Sequence, residues 1–507
     1  MSRFVSGSRL VLPYSQPMTR RTLLGYGAAA GLGAAAMRYG GASAQSSDTG
    51  VDPDTWTAEY ITSIAGTLEV DTMAETGAVV PHDYTGRVTY WYAFTPETEP
   101  AITLEQDEAF WAAFAEAYPN IEVEFTRLSY NDMLDKLRTA ALGKAAPMVA
   151  KMPILWGVEF AGSGQLMELA PEDIGYATSE FWPGAMKSVT WDGKTYGVPT
   201  NNETMALIWN AGIFEEAGLD PEAPPATWDD VVAYSNTIKQ ETGKSGYGMV
   251  ARVNAGNTPF RFMPQMWAYG GGALDEAEAE PTYQTVYANN EGSIAALQAS
   301  YDMYVRDKSV PVSALTNTNN ENADPFIAGQ LAMMISHPSE YAKMNDLAAK
   351  ATGADAEVAA QVVENMRYGL IPEGPARRAV VFGGSNIHIF NQDSVDGDLD
   401  VDAARALISF MTGPEWSTKL AWVGSNPGNN RGFQTSWMKE RLETIPFLDV
   451  TTSMLPYGIP FPVIPESTEI MNIIIPEMLQ NALTETMTVE ESANDAASKI
   501  EALMSGL

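Results

Sequence analysis

The feature that most constrains this chain is an alternation of short β-rich runs with helical stretches from residue 88 to residue 152. Val88–Phe94 is short and rich in aromatic and β-branched residues, as a buried strand is. Leu104–Ala117 follows with Phe110, Ala113, Phe114 and Ala117 on one helical face, and Tyr118-Pro119-Asn120 stops it. In Ile121–Phe125 apolar residues alternate with Glu122 and Glu124, which predicts a second strand. Ser129 with Asp132 three positions later has the pattern of a capping box, opening a helix through Met133, Leu134 and Leu137 that ends near Gly143. Pro147–Met152 reads as a third strand. A β-α-β-α-β order calls for parallel strands joined by right-handed crossovers, so the fold class is α/β.

The pattern continues along the chain. Asp192-Gly193 has the residues of a type I′ turn between Val189-Thr190 and Thr195-Tyr196, and Met205–Trp209 is another β-rich run. A helix is predicted over Thr227–Thr242, capped by Thr227 with Asp230. Further helices are predicted at 259–268, 291–307, 323–330 and 402–411, and strands at 331–336, 368–371 and 380–390. Thr488-x-x-Glu491 opens a last amphipathic helix to about Met504.

The N-terminus reads as an address. Thr19-Arg20-Arg21-Thr22-Leu23-Leu24 has the form of a twin-arginine signal, a weakly apolar run follows from Gly25 to Ala36, and Ala42-Ser43-Ala44 offers a cleavage site before Gln45. The apolar run is about half the ~20 residues that a membrane span needs. Residues 1–45 are therefore expected to be removed near Ala44 during export to the periplasm, and 46–85 to form an N-terminal extension with a short helix around Ala58–Leu68.

Composition narrows the function classes. The 507 residues carry 30 basic and 64 acidic side chains, a formal net charge of −34. Such a surface repels phosphates, which argues against nucleic acid and against docking on anionic lipid, and it suits a soluble monomer. There are no cysteines, so disulfides, thiol catalysis and a lipoprotein anchor are excluded. His82, His337 and His388 are far apart in sequence and no pair has metal-ligand spacing, so neither a metal nor a cofactor is expected. Asp393–Asp402 lacks EF-hand spacing and reads as a solvated loop.

Several motifs, in order, resemble the family 1 extracellular solute-binding proteins, the group that includes the maltose-binding protein. They are Val88–Phe94, Tyr118–Val123, Met133–Leu142 and Asp192-Gly193-Lys194-Thr195-Tyr196-Gly197-Val198-Pro199. Trp209-Asn210, Phe214–Leu219, Pro225–Asp230, Phe326–Met334 and Phe382–Ser385 continue the series, so the resemblance runs from about residue 86 to 507. It implies a two-lobed periplasmic binding protein fold of the type II-like kind, two α/β domains joined by a hinge with the ligand in the cleft. Lobe one is placed at 86–198 plus 384–440, and lobe two at 199–383 plus 441–507. It also implies a receptor that binds a sugar or sugar derivative and serves the membrane permease subunits of an ABC importer.

A sugar needs an aromatic surface and a few fixed donors and acceptors, and open parallel sheets bind ligands beyond the carboxyl ends of their strands. By that rule the candidate binding residues in lobe one are Phe94, Thr95, Tyr130, Met152 and Trp156, with core packing as the ordinary alternative for the aromatics. Asn201, Asn202 and Glu203 follow the hinge-like Val198-Pro199 and can bridge hydroxyls. In lobe two Trp267 and Tyr269, beside Gly270-Gly271-Gly272, suit a cleft wall. His337 and Ser339 occupy the stretch where the family carries a tryptophan platform, and the tryptophan is absent here. Gly384 and Ser385 lie at a hinge crossing, and Asn426 and Arg431 bracket Pro427-Gly428. Arg431 is either a bidentate partner for an anion or half of a salt bridge.

Two competing functions remain at this level. The same receptor could take a glycerol phosphate, a polyamine or another small polar metabolite; an anion at Arg431 would favour the first. A secreted glycoside hydrolase would need two carboxylates, which 64 acids make easy to find and uninformative, and the chain has no G-x-S-x-G, H-E-x-x-H or P-loop motif.

Overall fold

The computed structural model describes residues 79–506, apart from breaks at 97–98, 100, 254–255, 319 and 422–423. The expected signal sequence and the helix expected near Ala58–Leu68 lie outside the described residues.

In chain order the first lobe opens with β1 (Gly86–Ala93), α1 (Ala101–Ala117), β2 (Ile121–Leu128), α2 (Tyr130–Leu142), β3 (Val149–Pro153) and the short α3 (Gly157–Gly162). The capping geometry expected at Ser129 is present: its side chain accepts from the Asp132 amide. Next come the small hairpin β4 (Thr190–Trp191) and β5 (Lys194–Thr195), then β6 (Val198–Glu203) and β7 (Ala206–Asn210). Asp192 and Gly193 both have positive φ, 48° and 71°, as a type I′ turn requires. The second lobe adds α4 (Trp228–Thr242), β8 (Ser245–Tyr247), α5 (Asn257–Ala268), α6 (Glu291–Tyr301), β9 (Leu331–Ser336) and β10 (Met366–Gly369). The chain then returns through β11 (Val380–Val381), β12 (Gly383–Ile389), α7 (Val401–Thr412) and β13 (Asn426–Pro427). β14 (Gly458–Ile459) leads into α8 (Ile475–Leu483) and α9 (Val489–Met504).

Two sheets organise these elements. The first has the order β13-β6-β12-β3-β1-β2, the second β10-β7-β9-β8. β1 pairs in parallel with both β2 and β3, as the β-α-β-α-β reading requires, and β12 runs antiparallel to β3 and β6. One face of the first sheet buries Val88, Tyr90, Ile387 and Ile389 against Phe110 and Phe114 of α1 and Leu407 and Phe410 of α7. The second sheet alternates cleanly: Ala206 and Ile208 pack on Phe326 and Met334, while Leu207 and Trp209 face the core that holds Phe214 and Trp228.

The structure moves some expected boundaries. Pro199–Glu203 stay in the first sheet, where Glu203 pairs with Gly383 and Asn202 with Gly384 and Asn426. The chain therefore leaves the first sheet after Glu203, not after Val198, because this stretch finds a ladder partner on each side. The strand expected at 380–390 is two strands: Val380-Val381 pairs with Gly458-Ile459, and Gly383–Ile389 joins the first sheet. The helix expected over 291–307 ends at Tyr301 and continues as a π turn, Asp302–Arg306.

Candidate functional site

The carboxyl ends of β3 and β6, the start of α2 and the start of α3 meet at one edge of the first sheet. There Tyr130, the first residue of α2, stands 45% exposed and packs its ring 5.3 Å from that of Trp156, which precedes α3. Glu203 ends β6; its Oε1 accepts from Ser425 Oγ at 2.8 Å and from Asn201 Nδ2 at 3.4 Å. Its Oε2 takes no hydrogen bond among the described residues.

The second lobe faces this edge with α5 and a π turn, Ile470–Ile474. A Cβ added at Gly256, just before α5, would lie 3.4 Å from Tyr130 Oη and 3.8 Å from Asn472 Oδ1. One point thus lies within 4 Å of polar atoms from both lobes. Asn472 sits on the π turn, and its Oδ1 is buried with no hydrogen-bond partner among the described residues. π turns interrupt the regular helical ladder and recur at functional sites. Phe260 of α5 closes another side: a Cβ at Gly383 would meet Phe260 Cε1 at 2.9 Å and Glu203 Cβ at 3.5 Å.

Electrostatics reinforce the picture. Crowding around the Tyr130 hydroxyl, and then the Glu203 carboxylate, push its phenol up to about 12, so it stays a neutral donor and acceptor. Lys151 of β3 has its pKa lowered by burial, an effect opposed by Glu203, Asp107 and Glu99. Asp107 is already engaged, accepting from Tyr92 Oη at 3.0 Å and paired with Arg127.

Several expected residues are placed elsewhere. Met152 and Asn202 are fully buried, and Asn202 Nδ2 donates to the Pro427 carbonyl at 3.0 Å. Trp267 is not on a cleft wall: it is fully buried in the second lobe, its Nε1 donates to Glu276 at 2.9 Å, and an indole of that size is held by core packing. Tyr269 donates to Asp229 Oδ1 at 2.5 Å. The adjoining glycines serve close packing instead, since a Cβ at Gly271 would come 2.4 Å from Ser293 Oγ. Gly384 has φ of +125°, and a Cβ there would lie 2.1 Å from the Asn201 carbonyl oxygen, so its glycine serves strand pairing. The Ser385 carbonyl accepts from Thr200 Oγ1 at 2.8 Å, and Asn426 Oδ1 accepts from Thr452 Oγ1 at 2.7 Å. Arg431 faces Glu180 at 3.7 Å, the salt-bridge alternative. Phe94 lies half-buried with the Arg127 guanidinium 5.1 Å from its ring centre, and Thr95 adjoins it. His337 follows β9, and the Ser339 side chain lies outside the described residues.

Sequence reasoning missed Phe260 and Asn472. Asn472 carried a legible signal, a lone amide inside Ile470-Met471-Asn472-Ile473. A narrow crevice on the hinge side, lined by Ile154, Leu155, Val158, Ser188 and Pro460–Val463, is almost wholly apolar. Its one polar side chain, Ser188, already accepts from Asn386, so the crevice offers a polar ligand nothing. Among the described residues no helix is long and apolar enough to cross a membrane.

Comparison with known proteins agrees with this architecture. Residues 101–418 match the family of bacterial extracellular solute-binding proteins. A probable amino-acid ABC transporter periplasmic-binding protein of Sinorhizobium fredii is 23% identical over 440 residues, covering 85% of this chain and 92% of its own. The maltose-bound MalE3 protein of T. maritima superposes with a TM-score of 0.67 at 23% identity, covering 83% of this chain and all of its own. UgpB of Mycobacterium tuberculosis, in complex with glycerophosphocholine, superposes with a TM-score of 0.65 at 18% identity, covering 83% of this chain and 99% of its own. With the two-lobed fold and the facing polar groups, these matches show that the chain belongs to the bacterial extracellular solute-binding proteins.

Proposed function

We propose that this protein is the receptor of an ABC importer, closing its two lobes over a sugar or sugar derivative in the periplasm and delivering it to membrane permease subunits. The observation that carries the reading is the convergence of Tyr130 from one lobe and Asn472 from the other on a single point beside Gly256. Groups on both sides can be satisfied together only when the lobes are closed, so a ligand that bridges them shifts the population toward closure. Tyr130, exposed and backed by the buried Trp156, supplies an aromatic surface for the C–H face of a sugar ring, and Glu203 supplies an acceptor for its hydroxyls. MalE3 in its maltose complex supports the sugar class. The pairing of Arg431 with Glu180 at 3.7 Å weighs against an anion such as a glycerol phosphate at that guanidinium.

A thermal-shift screen of the mature protein against sugars, sugar acids, glycerol phosphates and polyamines tests the reading. The expected result is a rise in melting temperature with a sugar that is recovered unchanged, since a ligand that binds only the native state stabilises it. A ligand recovered hydrolysed would instead make the protein an enzyme. Export by the twin-arginine route rests on Thr19–Leu24. Replacing Arg20 and Arg21 with lysine is expected to leave the protein in the cytoplasm, as fractionation would show; unchanged periplasmic recovery would refute that route.

A further inference from the structure

Gly256 is a glycine for which neither backbone nor packing gives a reason. It stands at the start of α5 with φ −56° and ψ −19°, right-handed helical angles that any L-residue adopts. Gly384 differs, since its φ of +125° favours glycine, and so does Gly271, where a Cβ would strike Ser293. A Cβ built on Gly256 meets Tyr130 Oη at 3.4 Å and Asn472 Oδ1 at 3.8 Å, both ordinary van der Waals distances. Apart from its own turn of chain, no other atom of the described residues lies within 4 Å of that Cβ position. Glycine in such a setting costs chain entropy on folding with no structural return. The gap it leaves is rimmed by two polar atoms, one from each lobe, and neither has a hydrogen-bond partner among the described residues. Polar groups left unpaired around a gap call for a polar occupant.

We infer that Gly256 is a specificity-determining position: bearing no side chain, it keeps open a gap between the lobes that a hydroxylated edge of the ligand fills. The inference rests on the receptor reading above and narrows what the ligand must present at this point. Asn472 Oδ1 only accepts, while the Tyr130 hydroxyl both donates and accepts. Hydroxyls on the ligand edge can therefore donate to the first and pair with the second in either sense. A carboxylate or phosphate would offer Asn472 Oδ1 no donor, and an apolar edge would leave the groups of both lobes unpaired. Sites built to hydrogen-bond a hydroxyl reject the analogue that lacks it for this reason. The gap also sets a size limit, because a methyl group at position 256 would take up the space that the hydroxylated edge needs.

The test uses the full mature protein and its Gly256→Ala variant. The probes are neutral mono- and disaccharides, followed by the monodeoxy derivatives of whichever sugar stabilises the wild type most. Gly256→Ala is expected to bind that sugar at least about tenfold more weakly, a loss of about 1.4 kcal/mol. Its ligand-free melting temperature is expected to be unchanged or higher, since the backbone angles and contact distances accept a methyl group. One deoxy sugar is expected to lose at least about tenfold against the wild type yet to bind Gly256→Ala as well as the parent sugar does, because the methyl group fills the space its missing hydroxyl vacates. Exchanged preference separates a selecting role from a structural one, because a damaged fold weakens every sugar alike. Wild-type affinity and ranking in Gly256→Ala would mean that the gap holds water only, and would overturn the inference while leaving the receptor standing. A lowered ligand-free melting temperature would overturn it as well, by showing that packing requires the glycine. A wild type that responds to none of the sugars would remove the sugar reading and this inference together.

Discussion

Each lobe of the molecule buries a titratable side chain deep in its packing, and the two are buried in opposite senses. In the first lobe His388 Nδ1 donates to the Tyr196 carbonyl at 2.8 Å, while Nε2 has no partner among the described residues. Glycines make room for it, since a Cβ at Gly157 or Gly197 would approach the ring to 2.4 or 2.5 Å. Burial lowers its pKa to about 4, so the ring is a neutral wedge between β12 and the β4–β5 hairpin. In the second lobe Glu276 accepts from Trp267 Nε1 and from the Ala273 and Leu274 amides, and burial outweighs those donors, raising its pKa to about 7. One group fills space and the other gathers a loop. The comparison teaches that a buried ionisable residue in this fold can serve as a packing device, neutral in either sense.

The largest expected effect breaks the second lobe at its anchor. Trp267→Ala should cost about 3–5 kcal/mol of stability, the usual range for deleting a buried aromatic, and leave sugar affinity nearly unchanged. Chemical denaturation with parallel binding measurements checks this; a loss of affinity with little loss of stability would return Trp267 to the cleft. The first lobe should respond to acid. Because the folded pKa of His388 lies below its unfolded value near 6.5, its contribution is complete above pH 6.5 and is lost as the pH falls towards 4, up to about 3 kcal/mol. In a pH series of melting curves His388→Gln should flatten that decline, and an undiminished slope would remove His388 as its cause.

The second lobe should respond in the reverse direction. With a folded pKa raised from 4.5 to about 7, Glu276 contributes most below pH 4.5 and loses that contribution as the pH rises to 7. Glu276→Gln should therefore shift the wild-type stability maximum towards higher pH, and an unmoved maximum would mean that the three donors hold the carboxylate charged. The smallest effect concerns the aromatic surface. Trp156→Ala should weaken ligand binding more than tenfold, about 1.4 kcal/mol. An unchanged dissociation constant would assign Trp156, only 3% exposed, to packing alone.

Much of the first lobe was legible because its elements announce themselves locally. Ser129 capped α2, Thr227 and Asp230 formed their reciprocal capping box, and Asp192-Gly193 made its hairpin turn, each from a pattern of four residues or fewer. The crossing after Glu203 was not legible, since Val198–Glu203 continue as a strand only because Gly383–Ile389 and Asn426-Pro427, at least 180 residues later, flank them. The site divided in the same way. Tyr130 and Glu203 were readable as residues at strand ends, and the structure sets Tyr130 beside Gly256 and Glu203 beside Gly383. Trp267 failed because an aromatic beside glycines looks the same whether it lines a cleft or fills a core. Asn472 owes its place to a π turn that no short pattern marks.

The most direct test of the central claim is calorimetric titration of the mature protein with the sugar found by thermal shift, followed by chromatography of the released ligand. Saturable one-to-one binding of an uncharged sugar that emerges chemically intact is the predicted result. Absence of binding, or release of a cleaved sugar, would contradict a receptor that closes two lobes over its ligand.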